Sequence, residues 1–219
     1  MAFTYKGVRQ DFRWCEPGTF SMDSPPDEPQ QDEDELPHEV TLTRGFWMAN
    51  TTVTQVLWQA VMGNNLGHFN GADRPVEKVS WEDTQAFIGK MNGLKQELKL
   101  YLPSEAQWEY TCCAGSNTPF YWDEQIDSEP VNFDGNYPYN QGHKSENRAQ
   151  TVEVKRLPCN DRGLYQMHGN VWEWCQDWSA GYPAKPLVDP HGTHNIIHES
   201  MSESRGLKSR CTGDSCFAL

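Results

Sequence analysis

GLYQMHGNVWEWCQDW, residues 163–178, holds three of the nine tryptophans of this 219-residue chain. Burying one large apolar side chain stabilises a fold by about 1.5–3 kcal/mol, so Trp172, Trp174 and Trp178 predict that the segment belongs to the core. Glu173 lies between two of these indoles. A carboxylate buried there needs either internal hydrogen bonds or a bound metal ion, and both interpretations stay open. The segment therefore predicts a core element that also carries a site.

The same residues resemble the signature of the sulfatase-modifying factor family, the formylglycine-generating enzymes, which reads GLYDMxGNVWEWxxDW. Further segments resemble the family in the same order along the chain. These segments are EPGTFSM at 16–22, PHEVTLTRGFWMANTTVT at 37–54, RPVEKVSWEDTQAF at 74–87 and LPSEAQWEY at 102–110. The resemblance implies an α+β fold of the irregular, C-type-lectin-like kind, with few helices and short antiparallel strands.

The resemblance also implies the domain organisation. We expect a single sulfatase-modifying-factor domain over residues 1–192, followed at 193–219 by a divergent tail in place of the family's usual final core strands. A chain of 219 residues is long enough for one sizeable core. Its 17 glycines, 14 prolines and 12% aromatic residues predict many turns around a few large anchors.

Charge and hydropathy disfavour several classes of partner. The net charge of −13 disfavours nucleic acid, because phosphate backbones need basic surfaces. No apolar run approaches the roughly 18 residues of a membrane-spanning helix. The first ten residues, MAFTYKGVRQ, lack the apolar core of a signal peptide. We therefore predict a cytoplasmic protein with neither nucleic acid nor membrane as a partner, whose seven cysteines are free thiols.

Helix starts are marked by capping residues. Ser80 precedes Asp83 by three residues and Ser104 precedes Gln107 by the same spacing, which is the capping-box pattern. Both serines, together with the hydroxyls of Thr51 to Thr54, predict the first residues of helices. The acidic, proline-rich segment 23–35 instead predicts an exposed loop, with cation binding as the alternative.

The polar run at 134–147 is typical of a long loop that a ligand holds in place, and calcium suits irregular chain because it accepts side-chain and backbone oxygens. The resemblance implies two such calcium sites. The first comprises Asn132, Phe133, Glu146 and Arg148, and the second comprises Gln166, Gly169, Val171 and Glu173. Residue 166 is Gln where relatives usually have Asp or Asn, so we expect weaker calcium binding at the second site.

The resemblance further implies a Cu(I) ion between two cysteines, where O2 is activated and a cysteine of a sulfatase-type peptide is oxidised to formylglycine. Cys211 and Cys216 have the family's spacing, with four residues between them, and soft thiolates suit Cu(I). Trp172 is implied to lie near this catalytic pair. The RGGS turn that precedes the pair in the family reads RGLK at 205–208. A tail with two free or disulfide-linked thiols is the alternative.

Two functions follow as alternatives. The first is an oxidoreductase of the formylglycine-generating type that acts on a cysteine-containing peptide or protein, and the second is a catalytically inactive C-type-lectin-fold module that binds a ligand or a protein. An iron site of two histidines and a carboxylate is a further possibility in the segment that contains His191, His194, His198 and Glu199. Exposed histidines in a polar tail explain that pattern without a metal.

Overall fold

The computed structural model describes residues 1–25, 28–29, 36–178, 185–191 and 201–203, with the backbone alone at Trp178 and at 201–203. The predicted C-terminal tail therefore lies outside the described residues except at 201–203. Most of the acidic segment predicted as an exposed loop, at 26–27 and 30–35, also lies outside them.

The described residues form short strands, numbered here in chain order. They are β1 (Ala2–Tyr5), β2 (Val8–Cys15), β3 (Gly18–Met22), β4 (His38–Leu42), β5 (Phe46–Ala49), β6 (Trp174–Trp178), β7 (Leu187–Val188) and β8 (Met201–Glu203). Three small sheets result, with strand orders β1-β2-β5, β3-β4-β7 and β6-β8. All pairs are antiparallel except β4 with β7, which is parallel.

Three α-helices, α1 (Gln55–Met62), α2 (Trp81–Leu94) and α3 (Glu105–Cys113), connect the first five strands to the long loops. Both predicted capping boxes are confirmed. The Ser80 side chain accepts a hydrogen bond from the Asp83 amide, and Asp83 returns one to the Ser80 amide. Ser104 and Gln107 make the same reciprocal pair at α3. Thr54 caps α1 by accepting from the Leu57 amide. The α+β class predicted from sequence is therefore confirmed.

Two hydrophobic clusters lie on opposite sides of the sheet formed by β1, β2 and β5. One cluster contains α1 and α2, where the Trp58 and Phe87 rings stack with centroids 5.3 Å apart. The other contains residues of β3, β4 and α3. Residues 163–178 contribute Leu164 and Met167 to the second cluster and Val171 and Trp174 to the first, so the predicted core position of this segment is confirmed.

Further predictions concern cysteines and membranes. The five described cysteines, Cys15, Cys112, Cys113, Cys159 and Cys175, are free thiols, as predicted. Among the residues that the structure describes, no helix combines the length and the apolar character needed to cross a bilayer.

Candidate functional site

Strand β6 is the point at which α2, α3 and the signature segment meet. The Trp174 indole nitrogen donates to the carbonyl of Val79, 2.9 Å away, directly before α2. The Trp81 indole donates in turn to the Cys175 carbonyl at 3.3 Å. The Gln176 amide donates to the Pro103 carbonyl at 2.8 Å, directly before α3. The indoles of the signature region are thus both core side chains and hydrogen-bond donors that fix two helix starts.

Glu173 is the buried acid of this junction and is only 4% exposed. One of its carboxylate oxygens accepts a hydrogen bond from the Trp108 indole nitrogen at 2.9 Å. Burial raises the pKa of Glu173 to about 7, although the Trp108 bond lowers it. No ion pair joins Glu173 to a basic side chain in the part of the chain that the structure describes. The carboxyl group therefore either carries a proton near neutral pH or requires a bound cation.

Amide side chains connect the two predicted calcium sets. Asn170 Nδ2 donates to Gln166 Oε1 at 3.2 Å, and Asn132 Nδ2 donates to Asn170 Oδ1 at 3.0 Å. The Asn170 amide also donates to the Asn132 carbonyl at 2.8 Å. A Cβ atom at Gly169 would overlap that same carbonyl, so glycine is needed for this close approach. The chain is thereby folded so that Asn132 lies against the signature loop.

The rest of the first calcium set surrounds a guanidinium. Arg148 donates to the carbonyls of Val131 at 2.9 Å and Ser128 at 2.6 Å, and it lies 3.4 Å from a carboxylate oxygen of Glu146. Glu146 and Arg148 are therefore brought beside Val131, which directly precedes Asn132. The Arg148 side chain already supplies a positive charge to Glu146, so this set suits a divalent cation less well than the oxygens around Glu173 do.

Calcium accepts carboxylate, amide and carbonyl oxygens, which are the donors that both sets offer. The second set also holds a buried carboxylate without a charged partner among the described residues, which is a position where a cation would be stabilising. No three side chains of His, Cys, Asp or Glu in the described ranges are grouped as a metal site. Calcium at these residues therefore depends on amide and backbone oxygens and remains a prediction.

The sequence interpretation missed a buried histidine within the signature. His168 Nε2 accepts from the Tyr121 amide at 3.3 Å and lies 3.5 Å from the Cys112 sulfur. The rings of Phe120, Tyr121 and Trp122 surround the imidazole, with centroid distances of 5.1–5.5 Å. Burial lowers the pKa of His168 to about 3, so the ring is neutral. Residue 168 is the variable position of the family signature, and no local pattern indicates this partnership.

The predicted catalytic residues divide between described and undescribed parts. Trp172 is half-buried, between the buried Val171 and Glu173. Cys211 and Cys216 lie outside the described residues, so their predicted role as a copper pair stays a prediction. The alternative iron ligands His194, His198 and Glu199 also lie outside them, whereas His191 is exposed.

Comparison with known families identifies the class of protein that this fold and signature define. The family described as the sulfatase-modifying factor enzyme 1-like domain matches residues 6–211. The chain therefore belongs to the sulfatase-modifying factor family. The C-type-lectin-like form of the α+β fold, expected from the resemblance, is confirmed by this match and by the similarity to a solved structure of Treponema denticola variable protein 1. That comparison has a TM-score of 0.78 with 24% identity and covers 100% of this chain and 97% of the other.

Similar proteins carry different names. Chaperone protein LppX of Paenibacillus barcinonensis is 30% identical over 194 residues, which cover 67% of this chain and 66% of that protein. The formylglycine-generating enzyme of Bos taurus is 32% identical over 152 residues, which cover 62% of this chain and 38% of the enzyme. The chain thus spans less than two thirds of the length of both relatives.

Proposed function

We propose that this chain is an oxidoreductase of the formylglycine-generating type, which oxidises a cysteine of a sulfatase-type peptide to formylglycine with O2 and Cu(I). The observation that carries the proposal is the family match over residues 6–211, which reaches the first cysteine of the expected copper pair. Relatives named formylglycine-generating enzyme, at 32% and 34% identity, support the same reaction class.

The described thiols do not favour a second location for the chemistry. Burial raises the pKa of Cys15 to about 11 and, as the largest cause, that of Cys113 to about 12. The same effect raises the pKa of Cys112 and of Cys175 well above the ordinary thiol value. These groups stay protonated and apolar, whereas a soft metal ligand must be a thiolate. The proposal therefore assigns copper binding to Cys211 and Cys216, where the bound Cu(I) would supply O2 activation.

In this proposal the described residues hold the reacting groups in place. Trp172 contributes a half-buried apolar surface beside the substrate, on a segment that Trp174 and Glu173 anchor to the helices. Calcium at the second predicted set would neutralise Glu173 and stabilise the same segment. The protein partner would be a sulfatase-type chain that presents its cysteine in extended form. A cytoplasmic location for this reaction remains a prediction.

Conversion of a peptide containing Cys-x-Pro-x-Arg tests the proposal. Wild-type protein loaded with Cu(I) is expected to consume O2 and to replace the peptide's CH2SH group by CHO, detected by mass spectrometry and by reaction of the aldehyde with a hydroxylamine probe. Cys211→Ser and Cys216→Ser should each abolish conversion. Cys159→Ser removes an exposed thiol from the described region and should leave conversion unchanged. A wild-type protein that leaves the peptide thiol intact would refute the enzyme proposal.

A second candidate function is a non-catalytic module that binds a peptide or protein. It is favoured by the similarity to a protein named chaperone LppX, which aligns with 67% of this chain. The same peptide experiment separates the two candidates. Saturable binding of the peptide without O2 consumption, unaffected by Cys211→Ser and Cys216→Ser, would favour the binding module.

A further inference from the structure

A second tryptophan-rich surface lies at the end of the sheet formed by β2 and β5. Trp14 of β2 and Trp47 of β5 are cross-strand partners, and their ring centroids are 5.4 Å apart with planes tilted by 57°. Both indoles are 44% exposed. They form one wall of a cleft of about 230 Å³, whose other wall includes Leu98, Lys99 and Tyr101. Tyr101 is 56% exposed.

The indole pair is held in place by the chain around it. A Cβ atom at Gly45 would overlap the Trp14 ring and approach the Cys15 carbonyl, so glycine allows the ring to lie against the backbone. On the same face of the sheet, Phe12 and Ala49 are buried in a hydrophobic cluster. The exposed indoles thus continue an apolar face beyond the point where the core ends. Contiguous exposed apolar surface of this kind marks interaction sites.

The size and polarity of the cleft limit its occupant. Small-molecule sites are usually about 300–1,000 Å³, so a cleft of about 230 Å³ suits one or two side chains of a larger partner. Gln107 and Lys99 are the only side chains with strong hydrogen-bonding groups, apart from the indole and phenol groups, among the described lining residues. A saccharide, which needs partners for many hydroxyl groups, is therefore disfavoured.

Charge narrows the choice further. Lys99 is the only charged side chain among the described residues that line the cleft, whereas the chain as a whole carries −13. A cationic position on an acidic protein complements a partner with carboxylates nearby. A second copy of this chain would add its own net charge of −13, and the mutual repulsion disfavours self-association at this surface.

We propose that the cleft binds a proline-containing acidic segment of another protein. Proline rings stack on tryptophan and tyrosine without needing many hydrogen bonds, and the polyproline II conformation is already extended before binding, which lowers the entropic cost. A proline ring would lie between the Trp14–Trp47 pair and Tyr101, with a neighbouring carboxylate at Lys99. The proposal concerns a surface separate from Cys211 and Cys216, so it does not depend on the oxidase proposal.

The test is fluorescence anisotropy with two labelled peptides, one repeating Pro-Pro-Glu and one repeating Pro-Pro-Lys. The wild type is expected to prefer the glutamate peptide. Trp47→Ser and Tyr101→Ser should each weaken its binding by about tenfold, because each removes one stacking ring. Tyr137→Ser is the matched control, because Tyr137 is 59% exposed and does not line the cleft. Lys99→Glu should reverse the preference between the two peptides.

Several results would overturn the proposal. One is that neither peptide binds the wild type, with all variants shown to be folded by their near-ultraviolet circular dichroism. Another is that Tyr137→Ser weakens binding as much as Tyr101→Ser does. Sedimentation velocity provides a third, since a wild-type dimer that dissociates in Trp47→Ser would assign the cleft to a second copy of the chain.

Discussion

The two tryptophan-rich regions of the molecule differ in the environment of their indoles. Around β6, Trp108 and Trp174 are buried, and their N–H groups donate to Glu173 and to the Val79 carbonyl. At the end of β2 and β5, Trp14 and Trp47 have almost half of their surface in contact with solvent. The same residue type is therefore part of the internal framework in one region and part of a contact surface in the other. Burial and an internal acceptor distinguish the two roles.

The largest expected effect separates the two regions by stability. Trp174→Ala should lower the free energy of unfolding by about 3–5 kcal/mol, because it leaves a cavity and removes the hydrogen bond to Val79. Trp47→Ala should cost less than about 1 kcal/mol, because its indole is already half-exposed. Urea unfolding of both variants measures the difference. Equal losses would show that the proposed distinction between the two regions is wrong.

Calcium should act on the region around β6 alone. If calcium binds through Glu173, a concentration of about 100 times the dissociation constant adds about 2.7 kcal/mol of stability. The melting temperature should then rise by roughly 2–4 °C for each kcal/mol in a chain of this size. Glu173→Gln should remove most of the rise, whereas Trp47→Ser should retain it. A melting temperature that does not respond to calcium would favour Glu173 held by hydrogen bonds without a metal.

The bond between Trp108 and Glu173 provides a smaller test of the same region. Trp108→Phe removes the donor and should destabilise the fold by about 1–3 kcal/mol, because a buried carboxyl oxygen loses its partner. A double-mutant cycle with Glu173→Gln measures the coupling between the two side chains. Additive losses in unfolding free energy would show that the bond contributes nothing specific.

Acid should destabilise the fold through His168. Its pKa is about 3 in the folded chain and about 6.5 when exposed, so the unfolded chain binds the extra proton between these values. Stability from this residue is complete above about pH 6.5 and is lost as the pH falls, by about 1 kcal/mol at about pH 5.5. His168→Phe keeps an aromatic ring but does not titrate. A pH dependence that is identical in the wild type and His168→Phe would contradict this assignment.

Local sequence patterns predicted the parts of the fold that depend on neighbouring residues. The serine caps of α2 and α3 were predictable because the donor and acceptor are three residues apart. The buried position of Trp174 followed from the density of indoles in residues 163–178. These features need no knowledge of how distant segments meet.

The remaining features depend on contacts between residues far apart in the chain. Asn132 and Asn170 are 38 residues apart, and Cys112 and His168 are 56 apart. Such pairs are set by loop geometry, which hydrophobic periodicity does not encode. The guanidinium of Arg148 beside Glu146 was missed for the same reason, because the resemblance implied only backbone and carboxylate oxygens at these positions. The cross-strand pair of Trp14 and Trp47 required the strand register.

The most direct test of the proposed oxidase is a Cu(I) titration against a competing chelator under anaerobic conditions. We compare the wild type with Cys211→Ala, Cys216→Ala and the exposed-thiol control Cys159→Ala. The proposal predicts tight one-to-one binding that is lost in each of the first two variants and kept in the control. Weak binding, or binding indifferent to Cys211 and Cys216, would contradict the oxidase and leave a lectin-like framework whose function is recognition.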